Sequence, residues 1–237
     1  MRKSPPSFLS VYSFPQLNPA AAYFSGRKYT HALRQEFLHV IGLKSESLKT
    51  VKQVHGCEIV VVKNPAEKTE HLEADGFLTD QKEVGLGILT ADCIPVFFYV
   101  PGREVIGLAH AGWRGLKADI LMKMVEKMKA LWGIHPKDIR AALGPAIRKC
   151  CYEVGPEFHE LFKGFCIQSK DQVKPHLDLI SFAQSQLLNL GIRPEHCFDS
   201  EICTACQNPQ FFSWRKENTK ERILSVLWLP MAKPEQN

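Results

Sequence analysis

The sequence lacks a block of like charge, an internal repeat, a low-complexity tract and an unbroken membrane-length apolar run. Thirty Lys and Arg stand against 25 Asp and Glu, a formal charge of +5, and the basic residues are scattered. A scattered excess of this size builds no basic stripe, so no nucleic-acid partner is expected. An anionic small molecule such as phosphate fits the same charge. The longest apolar stretch, residues 84–100, is interrupted by Asp92 and Pro95. A charge and a residue without an amide hydrogen argue for two core strands around a turn, not a membrane span. Prolines and serines break the N-terminal PPSFLSVYSFP run, so no signal-peptide core forms. Cysteine is thin, with eight in 237 residues. That is too sparse for a disulfide scaffold in a chain of this length. Reduced thiols, a cytoplasmic setting and no membrane partner are the expectation.

The length suits one large α/β domain covering residues 1–237. Residues 1–30 are rich in Pro, Ser and aromatics and read as irregular, with edge strands and loops. Residues 31–43 place Leu33, Phe37 and Ile41 on one helical face, and Gly42 suits the helix end. Residues 64–74 read as a loop, and 75–79 as a turn entering a strand. The clearest helix carries Ile120, Leu121, Met124, Val125, Met128, Leu131 and Trp132 at helical spacing, with lysines opposite. Gly133 and Pro136 close it, and its Met and Trp residues are expected in the core. A strand at 139–143, a short helix at 156–162 and a longer helix at 177–190 follow, with Gly191 as the stop. The last strand is 223–229, and a polar tail runs from Pro230.

Three side chains stand out. Cys93 follows the apolar run 84–91, His110 follows the run 105–109, and His55 precedes the strand-like 58–63. Ligands or nucleophiles at adjacent strand ends can converge in a fold while far apart in sequence. Two histidines and a cysteine offer three protein ligands to Zn²⁺ and leave a fourth position for water or substrate, the open arrangement of a catalytic zinc. A lone buried cysteine is usually inert packing, and a lone histidine is usually just hydrogen-bonded. Context raises these three: Asp92 puts a charge beside Cys93, and two glycines in the AHAGWRG stretch after His110 permit close backbone approach to a ligand. Arg114, at the start of the amphipathic helix, reads equally as an anion site or as a guanidinium stacked on Trp113. Cys203 and Cys206 form a CxxC. Adjacent Cys150 and Cys151 make a poor second pair for a metal, and ordinary buried thiols are the expectation.

KQVHG at 52–56, ADGFLT at 74–79, TADCIPV at 90–96, AHAGWRG at 109–115, LGPAIRKCCYEVG at 143–155 and FFSWR at 211–215 together resemble the laccase-domain, or YfiH-type, family. The resemblance spans roughly residues 48–229. It implies a single α/β domain with a mixed sheet layered between helices. It implies a zinc-associated purine nucleoside phosphorylase, formerly described as a multicopper polyphenol oxidase, with adenosine deaminase activity in several members. Adenosine, inosine or methylthioadenosine, together with phosphate, would be the substrates. The family's metal-site His, Cys and His fall on His55, Cys93 and His110, which become the catalytic and metal-ligating set. Arg27 and Arg114 are assigned to anion binding, and Asp75 or Asp92 to orienting a ligand histidine or relaying a proton. FSGR at 24–27 matches the family's early arginine motif loosely. The glycine-rich segment that follows it in many members is absent, so part of the substrate wall should differ. Rival readings are a metal-free enzyme with a Cys93 thiolate activated by His110, a peptidoglycan-precursor editing amidase, and a non-catalytic nucleoside- or metal-binding protein. Copper ranks behind zinc, because one His-Cys-His set lacks the further histidines of a multicopper site.

Overall fold

The two apolar runs on either side of Asp92 fold as strands that part into different sheets. The computed structural model describes residues 10–168 and 173–231. In chain order the first elements are β1 (Val11–Ser13), β2 (Ala21–Ser25), α1 (Arg34–Ile41), β3 (Leu48–Lys49), β4 (Ile59–Val61) and β5 (Gly76–Thr79). Then come β6 (Gly85–Thr90), β7 (Ile94–Val100), β8 (Val105–Ala111), α2 (Trp113–Lys117), α3 (Ile120–Trp132), β9 (Arg140–Leu143) and α4 (Phe158–Leu161). The last are β10 (Cys166–Ile167), β11 (His176–Leu177), α5 (Leu179–Asn189), β12 (Cys197–Asp199), α6 (Trp214–Glu217) and β13 (Ile223–Trp228). A five-stranded mixed sheet has the order β1-β2-β13-β6-β3, and a six-stranded mixed sheet has the order β12-β9-β7-β8-β5-β4. β10 and β11 form a separate ribbon.

The α/β class is as expected, but the sheet layer is doubled. Side chains alternate along a strand, and here both faces are apolar. On β13, Ile223 and Leu227 face the other sheet with Phe97, Ile106 and Leu108, while Leu224, Val226 and Trp228 face α1. On β7, Phe97 and Tyr99 join the layer between the sheets, while Val96, Phe98 and Val100 face α3 and α5. Strands covered on both faces read as continuous apolar runs, which is why 84–100 gave no alternation. Helices on both outer faces complete the stack. The layer between the sheets carries an aromatic cluster, with Phe97 fully buried and edge-on to Phe14 at 5.4 Å.

Several expected elements move. β1 is an edge strand, but β2 is interior, between β1 and β13. Leu33 is exposed while Phe37 and Ile41 are buried, and Gly42 ends α1 in the left-handed region. The helix at 120–132 forms as read and buries Met124 and Met128. Leu131 instead faces solvent, and half-buried Trp132 donates its indole N–H to Asp80. Arg114 does not begin that helix. It lies in the short α2, which Asp119 separates from α3 by a left-handed turn at φ 60°. α5 starts at Leu179 because the Asp178 carboxylate caps the Ser181 amide, and Gly191 ends it at φ 94°. Among the described residues no helix is long and apolar enough to cross a membrane. Part of the signal-peptide reading (residues 5–9) and most of the polar tail (232–237) lie outside the described residues.

Phe97 should carry much of the stability between the sheets. Phe97→Ala is expected to cost about 3–5 kcal/mol, read as a lower urea midpoint at an unchanged slope.

Candidate active site

His110 lies near the end of β8, on the face that Ile106 and Leu108 turn toward the other sheet, and is 3% exposed. Its backbone N–H donates to the Asp75 carbonyl at 2.7 Å, and its Nδ1 meets Asp75 Oδ1 at 2.7 Å. Asp75 is fully buried at the entry to β5. Its carboxylate also accepts the amides of Val54 (3.2 Å), His55 (3.0 Å) and Gly56 (2.6 Å). One side chain therefore fixes the loop that carries His55 and the ring of His110. Of the two acidic candidates for orienting a histidine, Asp75 is the one in contact. Burial pushes its carboxyl up, but bonds from His110, Gly56 and Val54 hold it below the usual carboxylate range.

His55 sits at φ 60° on an exposed turn, its ring 4.8 Å from that of His110 at 76°. Cys93 reaches the same point from the β6–β7 turn. The ligand atoms of His55, Cys93 and His110 lie within 4.8 Å of one another. The glycines after His110 serve this convergence. A Cβ at Gly112 would lie 3.0 Å from Cys93 Sγ, and one at Gly115 would lie 2.9 Å from the Gly56 carbonyl. Burial pushes the Cys93 thiol up, but hydrogen bonds and positive charge from His110 and His55 bring it down to about 6. Burial pulls His110 down, but bonds to Asp75 and Cys93 raise it to about 9.

Asp92 has a different task from the one expected. At φ 92° it occupies the tip of the turn between the sheets. Its carboxylate accepts Thr204 Oγ1 (2.6 Å), Ser213 Oγ (2.7 Å) and the Arg215 amide (2.7 Å), and its carbonyl accepts the Ile147 amide (2.9 Å). It anchors two loops and bonds to neither histidine.

The three ligand-type residues line a cavity of about 620 Å³. Its walls include Trp113, Tyr152 and Trp214 and the cations Arg114, Arg215 and Arg222. Arg114 stacks on Trp113 at 4.4 Å, the second of its two sequence readings, and also lines the cavity. It makes no ion pair among the described residues. Arg215 lies over Tyr152 at 5.2 Å, and Arg222 over Trp214 at 5.6 Å.

Arg27 is not among the cavity-lining residues. Its guanidinium is taken up by Glu217, by the Asn208 and Phe211 carbonyls and by the Phe212 ring. A guanidinium committed to a carboxylate and two carbonyls is poorly placed for a substrate anion. Arg27 instead pins the segment that presents Trp214 and Arg215. Those two residues, with Tyr152 and Arg222, were missed. FFSWR held the signal for Arg215, an arginine among aromatics, but Arg222 had none. The thiols also differ from expectation. Cys150 and Cys206 are exposed, and both lie with Cys151 and Cys203 in one cluster outside the cavity.

Residues 9–230 match the sequence model of the family described as multi-copper polyphenol oxidoreductase laccase. The chain is 32% identical over 225 residues to "Purine nucleoside phosphorylase ORF3" of Streptomyces griseus, covering 93% of this chain and 90% of that one. It is 38% identical over 165 residues to "Purine nucleoside phosphorylase" of Aquifex aeolicus, covering 70% and 75%. Among solved structures, the Bacillus licheniformis hypothetical protein YfiH superposes with a TM-score of 0.84 at 26% identity, covering 94% of this chain and 97% of that one.

The thiolate of Cys93 gives a direct readout of the site. A lowered thiol value means that thiolate appears above about pH 6. In metal-free protein, alkylation of Cys93 should therefore rise through about pH 6 and level off, well below the roughly 8.5 of a free cysteine. Asp75→Asn removes the anion that keeps His110 protonated, and the alkylation midpoint should move upward. A wild-type midpoint near that of free cysteine would contradict the geometry.

Proposed function

The chain belongs to the family described as multi-copper polyphenol oxidoreductase laccase, and from that membership and the cavity we propose that it is a purine nucleoside phosphorylase with a Zn²⁺ held by His55, Cys93 and His110. The observation that carries this reading is the convergence, in one cavity, of a His-Cys-His set, three aromatic faces and three guanidinium groups. Two imidazoles and a thiolate suit zinc. The thiol is already biased toward thiolate, and a buried carboxylate orients one ring, the support a ligating histidine needs. A multicopper centre needs more histidines than this. Among the described residues the other ligand cluster is all cysteine.

In phosphorolysis a phosphate oxygen bonds to the anomeric carbon as the carbon–nitrogen bond breaks, and negative charge moves onto the departing base. Arg114 and Arg215 flank the space in which a phosphate dianion would be held, and charge-assisted bonds from guanidinium groups suit that task. Trp113, Tyr152 and Trp214 offer faces for the purine and the sugar. Asp75 accepts from His110 Nδ1 and so leaves Nε2 as the ring nitrogen available to the cavity. A bound Zn²⁺ supplies Lewis acidity and a water activated near neutral pH, the chemistry that adenosine deamination at C6 requires. Free thiols throughout suit a reducing cytoplasm.

A metal-free Cys93–His110 nucleophile is the second reading, favoured by the opposed shifts of that pair. Turnover that survives exhaustive chelation but not alkylation would select it.

The test is incubation of adenosine, inosine and methylthioadenosine with and without phosphate. Free base and sugar phosphate should appear in equal amounts and only with phosphate. Cys93→Ala should abolish turnover while leaving the circular dichroism unchanged. Arg114→Ala should raise KM for phosphate about tenfold or more, the loss of one charge-assisted contact. Absence of product from all three nucleosides would overturn the reading and favour a peptidoglycan-precursor amidase or a binding protein.

A further inference from the structure

The second ligand-type cluster lies beyond the cavity wall. Cys150 and Cys151 occupy a turn in which the amides of Cys151 and Tyr152 both donate to the Arg148 carbonyl at 2.9 Å. That turn, unlike a strand, sends both sulfurs to one side. There they meet Cys203 and Cys206. The Sγ separations are 3.5 Å for Cys150–Cys203, 3.4 Å for Cys150–Cys206 and 3.2 Å for Cys151–Cys206, and all four sulfurs lie within 4.8 Å of one another. All four are free.

Four sulfurs placed tetrahedrally at the usual zinc–sulfur distance of about 2.3 Å stand about 3.8 Å apart, inside the observed spread. An iron–sulfur cubane interposes an iron and the cluster core between thiolates and would need a wider cradle. Thiols are weak donors and weak acceptors, so four facing one another gain little from their own hydrogen bonds. Backbone amides of Cys206, Arg148 and Ala205 bond to the Cys203 sulfur, whereas burial and the neighbouring sulfurs push the Cys150 and Cys151 thiols up. The guanidinium of Arg148 lies close by, held by Asp199 through bonds of 2.9 and 2.6 Å. Four thiolates around Zn²⁺ carry a net charge of −2, which a neighbouring cation offsets.

We propose that Cys150, Cys151, Cys203 and Cys206 bind a structural Zn²⁺. Four protein ligands fill the tetrahedral shell and leave no open position, so this site staples rather than catalyses. It joins the 144–155 loop to the 200–215 segment, which also meet through backbone bonds of Ala146 with Ile202 (3.3 Å) and Thr204 (3.1 Å) and through Arg215, whose guanidinium donates to the Glu153 carbonyl and lies over Tyr152. One loop brings Ile147 and Tyr152 to the cavity, and the other brings Trp214 and Arg215. Thr204, between the two cysteines of the CxxC, donates to Asp92. The staple therefore helps to set the wall that Ile147, Tyr152, Trp214 and Arg215 give to the cavity lined by His55, Cys93 and His110.

This inference is independent of any metal at that set, and one experiment separates the two. Zinc per chain is measured by elemental analysis on wild type, Cys93→Ala and Cys206→Ser purified under reducing conditions, with zinc-edge X-ray absorption on each. Wild type is expected to hold two zinc ions and Cys93→Ala one, coordinated by sulfur alone at about 2.3 Å. Cys206→Ser should lose the all-sulfur signal. If Cys93→Ala does not fold, His55→Ala on the exposed turn serves in its place. One all-sulfur zinc in both wild type and Cys93→Ala would support the staple and count against zinc at the open set. A Cys93→Ala chain without zinc, a Cys151–Cys206 disulfide in the mass spectrum, or iron with acid-labile sulfide would overturn the proposal.

Discussion

The candidate site depends on the carboxylate of Asp75. A fully buried carboxylate without partners would cost several kcal/mol, and here it meets three backbone amides and an imidazole nitrogen. Those donors come from two places that nothing in the sequence joins: the loop before β4 and the end of β8. Both histidines of the set are therefore positioned by one residue, His55 through its backbone and His110 through its ring. The pairing of Gly76 with Ala109 across β5 and β8 sets the register that makes this reach possible. A one-residue slip would turn His110 to the opposite face.

Asp92 does for the far wall what Asp75 does for the histidines. It stands where the chain crosses from one sheet to the other, and its two oxygens collect Thr204, Ser213 and Arg215. Cys93 follows immediately, so the turn that orients the thiol also fixes the segment bearing Trp214 and Arg215. The cavity opens where the two sheets part, and its ligand-type side chains reach it from a loop, a turn and a strand end. Arg27 and the four-cysteine cluster act on the same segment from outside, one through Glu217 and two carbonyls, the other through the sulfurs of Cys203 and Cys206.

Much of this was legible in the sequence. The strand-end positions of Cys93 and His110, and the helix at 120–132, followed from apolar runs and helical spacing. The doubled sheet did not, because a strand buried on both faces reads as a continuous run whichever sheet it joins. Asp75 and Asp92 could not be told apart, since both precede or enter strands and only tertiary contact separates them. Arg27 turns to Glu217, 190 positions away, rather than to the cavity, a contact that no local pattern announces, and nothing in the sequence around Arg222 marked it as a cavity residue. Cys150 and Cys151 were discounted because they are adjacent, but the turn at 148–151 lets both sulfurs meet Cys206.

The claim that Asp75 organises both histidines is tested most directly by nitrogen-15 NMR of the histidine side chains in the zinc-loaded protein. His110 should show a protonated, hydrogen-bonded Nδ1 and a metal-bound Nε2, and Asp75→Asn should disturb the signals of His55 and His110 together. A metal-bound Nδ1 on His110, or a His55 signal indifferent to the loss of the Asp75 carboxylate, would contradict it.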